Sequence, residues 1–201
     1  MDHGSVATIR EPMLMRDEDV KNIAFRVIKA RSFKRGSFKL ASGRTSDFYL
    51  DMKPSMFHPD GIWAISNLLF DQLRNKGFAA VGGLEIGAVP LITTIALVSG
   101  IRDEPLCGFF VRKTVKEHGT QKRVEGLTDN SEIAGKRVAI VDDVTTTGES
   151  AMIAVEAARA AGALVGMVVS VVDRLEGAQA FYRAKDIPFV SLFTRDDFMR
   201  D

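Results

Sequence analysis

Residues 137–150 read RVAIVDDVTTTGES. An apolar run ends in two adjacent carboxylates, Asp142 and Asp143. Val144 follows, then the hydroxyl residues Thr145, Thr146 and Thr147, then Gly148 and Glu149. Carboxylates accept hydrogen bonds from sugar hydroxyls and can approach a hydrated Mg²⁺. Backbone N–H groups in a turn just before a helix lack intrahelical acceptors. Together with the positive end of the helix dipole they hold phosphate. The threonine hydroxyls add donors, and Gly148 permits close approach. One ligand carrying both a phosphate and a diol, such as a ribose 5-phosphate, would satisfy the whole stretch. Helix capping would account for one such residue, not for two acids and three threonines in a row around a single valine. No lysine follows Gly148, which sets the stretch apart from the ATP-type phosphate loop.

Two further groups could act on the same ligand. Arg112, Lys113, Lys116 and His118 crowd cations into one short polar segment. They suit a pyrophosphate clamp, although a solvated surface turn carries such charges too. Arg174 follows Asp173 at the end of a second apolar run. A guanidinium meets a carboxylate with two parallel bonds, and the neighbours Asp173 and Glu176 compete for that contact. Phe48 and Tyr49 are either core or a platform for a planar ring.

Elements must bring these groups together. Residues 17–32 carry Val20, Ile23, Ala24, Val27 and Ile28 at helical spacing, with acids near the start. Residues 36–52 read as two extended segments about a turn at Ser42-Gly43. A helix is expected from Pro59 to before Gly77, a strand before the glycines at 82–83, a helix ended by Gly100, and a strand at 105–113. Residues 114–129 are polar without periodicity. The strand RVAIVDD precedes a helix C-capped by Gly162. A strand, a short helix and a last strand, PFVSLF, complete the chain. The strands do not alternate, so both faces are buried, as in a parallel sheet covered by helices. The fold class is α/β, doubly wound. Ligands of such sheets bind beyond the strands' carboxyl ends, where Asp142 and Asp143 stand.

Composition bounds the rest. The chain has 201 residues, 46% hydrophobic and 26% charged, a globular balance suited to a single domain over 1–201. Net charge is +1, which gives no bulk attraction to nucleic acid or membrane. Cys107 is the only cysteine. That excludes an internal disulfide and fits a reducing, cytoplasmic setting; the residue reads as small core. Residues 1–16 look like a loose tail.

The stretch VAIVDDVTTTGES resembles the phosphoribosyl pyrophosphate (PRPP) signature of type I phosphoribosyltransferases. Three more stretches are similar to the orotate branch of that family: FKLASGRTSDFYLDMK to its N-terminal hood within residues 17–58, FVRKTVKEHG to its catalytic loop within 112–127, and DRLEG to its orotate-carboxylate site. The resemblance implies transfer of the PRPP phosphoribosyl group to orotate. It implies pyrophosphate handling by Arg112, Lys113, Lys116 and His118, with Lys113, Lys116, His118 and Asp143 catalytic. It implies PRPP contacts along Asp142–Glu149, and orotate contacts at Arg174, Thr146, Phe48, Tyr49 and Lys39. Mg²⁺ would arrive with PRPP rather than in a protein cage. A homodimer with each loop serving its neighbour's site is implied by the resemblance alone. Two lysines of many members are missing: Ala41 stands before SGR and Ile86 stands in GGLEIGAVPL. Lys39 or Lys53 could replace the first, and Lys122 and Arg123 could supply charge near the loop. Another PRPP-dependent base transferase, or a PRPP-sensing regulator, are the alternatives. DRLEG and the hood argue against the first, the intact loop cations against the second.

Overall fold

Strands apolar on both faces need helices on both sides, and the computed structural model supplies them. It describes residues 16–39, 45–114 and 123–200. Helix α1 (Asp17–Arg31) leads into a hairpin of β1 (Phe33–Lys39) and β2 (Thr45–Leu50), which form their own antiparallel sheet. Then come α2 (Lys53–Met56), α3 (Pro59–Leu73), β3 (Ala80–Leu84), α4 (Ala88–Ile101), β4 (Cys107–Val111) and β5 (Val124–Glu125). The second half is β6 (Arg137–Thr145), α5 (Glu149–Ala160), β7 (Leu164–Asp173), α6 (Ala178–Arg183), β8 (Phe189–Thr194) and α7 (Arg195–Met199). Among the described residues no helix is long and apolar enough to cross a membrane.

The main sheet has the order β5-β4-β3-β6-β7-β8, parallel except at β5. From β3 the chain steps outward to β4, and from β6 it steps the other way to β7 and β8. The crevice between β3 and β6 is therefore the topological switch point, where open α/β sheets bind ligands. Alternate residues of β6 serve opposite layers. Ala139 and Val141 join the core with α1, α3 and α4. Val138 and Ile140 join the core with α5 and Tyr182. Gly82 and Gly83 keep β3 thin: a methyl group on Gly82 would meet the Phe109 ring at 2.1 Å, and one on Gly83 the Val141 carbonyl at 2.5 Å.

The hairpin is fastened by aromatic stacking. Phe48 stacks on Phe33, Phe33 on Phe198 and Phe198 on Phe25, with centroid separations of 5.9, 5.6 and 5.2 Å. Helix α7, not expected from the sequence, carries Phe198 into this stack. It is started by a capping box between Thr194 and Asp197.

Four expectations change. Cys107 is exposed rather than core. It opens β4, and β5 covers that strand only at Phe110 and Val111. The strand expected to end at Asp143 continues through Thr145, so the turn before α5 is shorter than expected. The segment 114–129, read as polar without periodicity, contains β5 and leads into a 3₁₀ turn at Asn130–Glu132. Helix α5 is C-capped by Ala161, with Gly162 one residue beyond at φ +89°.

Candidate active site at the switch point

Strand parity decides where the two acids point. Asp143 shares the face of Val141, toward the N-terminus of α4. A Cβ built on Gly87 would lie 2.6 Å from its Oδ1. Asp142 shares the face of Ile140, toward α5. Thr145 Oγ1 donates to its Oδ2 at 2.9 Å. Both carboxyls are raised above the ordinary range, chiefly by burial. Asp142 is pushed up to about 7, with the nearby Asp143 charge adding to burial. Thr145 is itself buried, so its hydroxyl serves Asp142 rather than the crevice.

The turn Thr146-Thr147-Gly148 then enters α5. Gly148 has φ +97°, and a side chain there would also meet the Tyr182 ring at 3.0 Å. Tyr182 Oη donates to the Gly148 carbonyl at 2.8 Å and so pins the turn from beneath. Burial pushes its phenol further up from its ordinary value. Thr147 and Glu149 are exposed, and Val144 and Thr146 half-buried. The first-turn N–H groups of α5 face this turn without intrahelical acceptors.

The opposite wall is the 85–87 loop after β3, in which the Glu85–Ile86 peptide is cis. Glu85 Oε1 accepts from the Lys113 N–H at 2.9 Å. Ile86, at one of the lysine-lacking positions, is exposed. Arg112 and Lys113 leave the end of β4. The Arg112 N–H donates to the Arg123 carbonyl at 2.9 Å, and its Nη1 lies 3.3 Å from Glu125 Oε1. Its Nε is buried with no hydrogen-bond partner among the described residues. Lys116, His118 and Lys122, with Ala41, lie outside the described residues.

On the hairpin side, β-strand alternation separates the two aromatics. Phe48 is buried and carries the Arg174 guanidinium 4.4 Å from its ring centre. Tyr49 is exposed and packs on Phe38. Lys39 ends β1 and is exposed. Lys53 Nζ lies 2.8 Å from Asp51 Oδ1. That hydrogen bond is the largest influence raising the ammonium above its ordinary value, and the charges of Asp51, Asp143 and Tyr49 act in the same direction. Of the two lysines that could replace the one absent at Ala41, Lys53 is the one tied electrostatically to Asp143. Arg174 follows the last residue of β7, beside β6, and its N–H donates to the Thr145 carbonyl at 2.9 Å. It borders a cleft of about 710 Å³ shared with Phe48, Ser46, Glu176 and Arg195. A larger cleft of about 900 Å³ lies along α1, around Arg26 and His58, and contains none of the expected site residues.

The fold thus gathers Asp142, Asp143, Thr146–Gly148, Arg112, Lys113 and Arg174 at one end of the sheet. Sequence reading missed Glu85, Gly87 and Tyr182. Only the glycine-rich GGLEIG hinted at the first two, and nothing local marked Tyr182, which arrives from 34 residues away. Among the described residues no cluster of three or more His, Cys, Asp or Glu forms a metal cage.

Comparison with known proteins supplies relatives. No protein-family model matches the chain. It is similar to the orotate phosphoribosyltransferase of Bradyrhizobium sp. (strain BTAi1 / ATCC BAA-1182), 49% identical over 173 residues, 86% of this chain and 94% of the relative. The orotate phosphoribosyltransferase of Sorangium cellulosum is 43% identical over 176 residues, 87% and 91% of the two chains. Among solved structures, the Mycobacterium tuberculosis H37Rv orotate phosphoribosyltransferase in complex with PRPP superposes with a TM-score of 0.74 at 30% identity, covering 90% and 99%. The Aeropyrum pernix orotate phosphoribosyltransferase gives 0.71 at 29% identity, covering 92% and 96%.

Proposed function

The chain belongs to the orotate phosphoribosyltransferase family, and we propose that its switch-point crevice joins orotate to the anomeric carbon of PRPP, giving orotidine 5′-monophosphate and pyrophosphate. The observation that carries this reading is the pairing, across adjacent strand ends, of a Thr-Thr-Gly turn at a helix N-terminus with a buried arginine on an aromatic floor. One holds a phosphate; the other suits a planar carboxylate.

Each group then has a task. The Thr146–Gly148 turn and the first turn of α5 take the 5-phosphate. Asp142 and Asp143 orient the ribose hydroxyls, and their charge favours a sugar that becomes cationic as the glycosidic bond breaks. Orotate is already an anion, so the site has no need of a strong base. The leaving pyrophosphate gathers charge, and Arg112, Lys113, Lys116 and His118 stabilise it. The buried Arg112 Nε without an acceptor suits a phosphate oxygen. Mg²⁺ carried by PRPP would add charge neutralisation, with Asp143 the carboxylate placed to meet its hydration shell. Arg174 holds the orotate carboxylate, with Phe48 beneath it, and Tyr49 is the aromatic left to face the base. Lys53 supplies charge beside Asp143.

The enzyme works as a homodimer in the cytoplasm, with the loop of one subunit over the site of the other. Exposed Leu97 and Ile101, four residues apart on α4, support a partner surface.

The test is the loss of orotate absorbance with PRPP and Mg²⁺, each omitted in turn, with uracil, hypoxanthine and adenine as competing acceptors. Arg174→Ala should raise the orotate KM by roughly tenfold or more, the worth of a charge-assisted contact, and change the PRPP KM little. Equal effects on both constants would remove Arg174 from the acceptor site.

A further inference from the structure

Resting on that reading of Arg174, we propose that Glu176 is a positioning residue for the acceptor. It locks the angle at which the Arg174 guanidinium meets the substrate carboxylate. The segment Asp173–Gly177 is shaped to place it there.

Residues two apart on a continuing strand point the same way but stand roughly 6.5 Å apart along the chain. Here the chain bends back. Asp173 Oδ1 accepts from the Leu175 N–H at 2.8 Å. Leu175 has φ +59°, a left-handed conformation rare for a branched apolar residue, and Gly177 has φ +113°. Leu175 is exposed, so packing does not explain the strain. What the bend achieves is the contact of Glu176 Oε1 with Arg174 Nε at 2.8 Å.

A guanidinium offers two flat faces, an Nε edge and the Nη1–Nη2 fork. One face rests on Phe48 at 4.4 Å. Glu176 holds the Nε edge. Rotation of the group is thereby restricted, and the fork is the edge a planar carboxylate engages with two parallel bonds. Arg174 and Glu176 side chains are only 10% and 23% exposed, so water does little to loosen the pair. The competing role is an acid that occupies the arginine until substrate displaces it. The two roles predict opposite signs.

The experiment measures orotate KM, PRPP KM, kcat and thermal midpoint for Glu176→Ala, Glu176→Gln, Glu176→Asp and Arg174→Ala. Glu176→Ala should raise the orotate KM about tenfold while leaving the PRPP KM within about twofold. Glu176→Gln should recover most of that loss, because its amide oxygen still accepts from Nε. Glu176→Asp keeps the charge but is a methylene too short, and it should resemble Glu176→Ala. It carries the test if the alanine variant fails to fold. Arg174→Ala separates the layers: if it leaves the orotate KM unchanged, the acceptor reading itself fails. If Arg174→Ala raises that KM while Glu176→Ala and Glu176→Asp leave it unchanged or lower it, positioning is refuted. A Glu176→Gln enzyme as impaired as the alanine variant would refute it too.

Discussion

Asp142 shows how a single side chain can be set against the stability of its own fold. Burial raises its carboxyl from an ordinary 3.8 to about 7. Between those values the folded protein holds a proton that the unfolded chain has released. Stability therefore falls as pH rises through that window, and above about 7 the penalty is fully present. Asp143, raised in the same direction, adds to the slope. At 1.36 kcal/mol per pH unit the Asp142 part is at most roughly 4 kcal/mol. Asp142→Asn keeps an acceptor for Thr145 and loses the charge. Urea titrations without PRPP or metal should find it more stable than the parent at pH 8 and nearly equal at pH 4.5, while PRPP turnover falls sharply. A stability difference independent of pH would show that Asp142 carries no buried charge. The identity of these acids was legible from sequence, because the phosphate turn and the carboxylates lie in one contiguous stretch. Their divergence was not. It depends on β6 running through Thr145, so that alternation sends neighbours to opposite layers. The hydroxyl of Thr145 was likewise read as a ligand donor, but the residue is buried and donates to Asp142 instead.

Loops and strand ends set how closely the two walls of the crevice approach. Gly87 has φ −59° and ψ −39°, which any residue can adopt, so replacing it tests space alone. Gly87→Ala would press a methyl group to 2.6–2.9 Å of the Asp143 carboxyl atoms. Overpacking of that kind costs about 1–3 kcal/mol, and the carboxylate must shift. Steady-state kinetics should show a raised PRPP KM with a much smaller change for orotate. An unchanged PRPP KM would mean that this loop and Asp143 do not serve one substrate. Long, apolar elements such as β6, β7 and α3 announced themselves in the sequence. Two-residue β5 and five-residue α7 are too short for any period to register. They exist through tertiary partners: β5 through Phe110 and Val111, α7 through the aromatic stack. Cys107 was misread because it opens β4, whose burial begins only at Phe109.

At the scale of the molecule, the question is whether one chain completes its own site. The described stems of the 112–127 segment stand at the sheet's edge, joined between Arg112 and Arg123, while Lys116 and His118 lie beyond the described residues. Sequence resemblance carried the dimer; no periodicity or spacing could, because an interface is written in two surfaces rather than in one stretch. Complementation in trans tests the proposal. Lys116→Ala subunits and subunits with both Asp142→Asn and Asp143→Asn should each be inactive alone. If each site takes its loop from the neighbouring subunit, a mixed dimer has one site with both defects and one with neither. Random exchange in equal amounts makes about half the dimers mixed, so roughly a quarter of the parental activity should return when sites act independently. If loop and aspartates serve the same subunit's site, every site keeps one defect and nothing returns. Native mass spectrometry of differently tagged chains establishes that exchange has occurred. With exchange established and no activity recovered, the shared site is refuted, and the exposed apolar residues of α4 need another explanation.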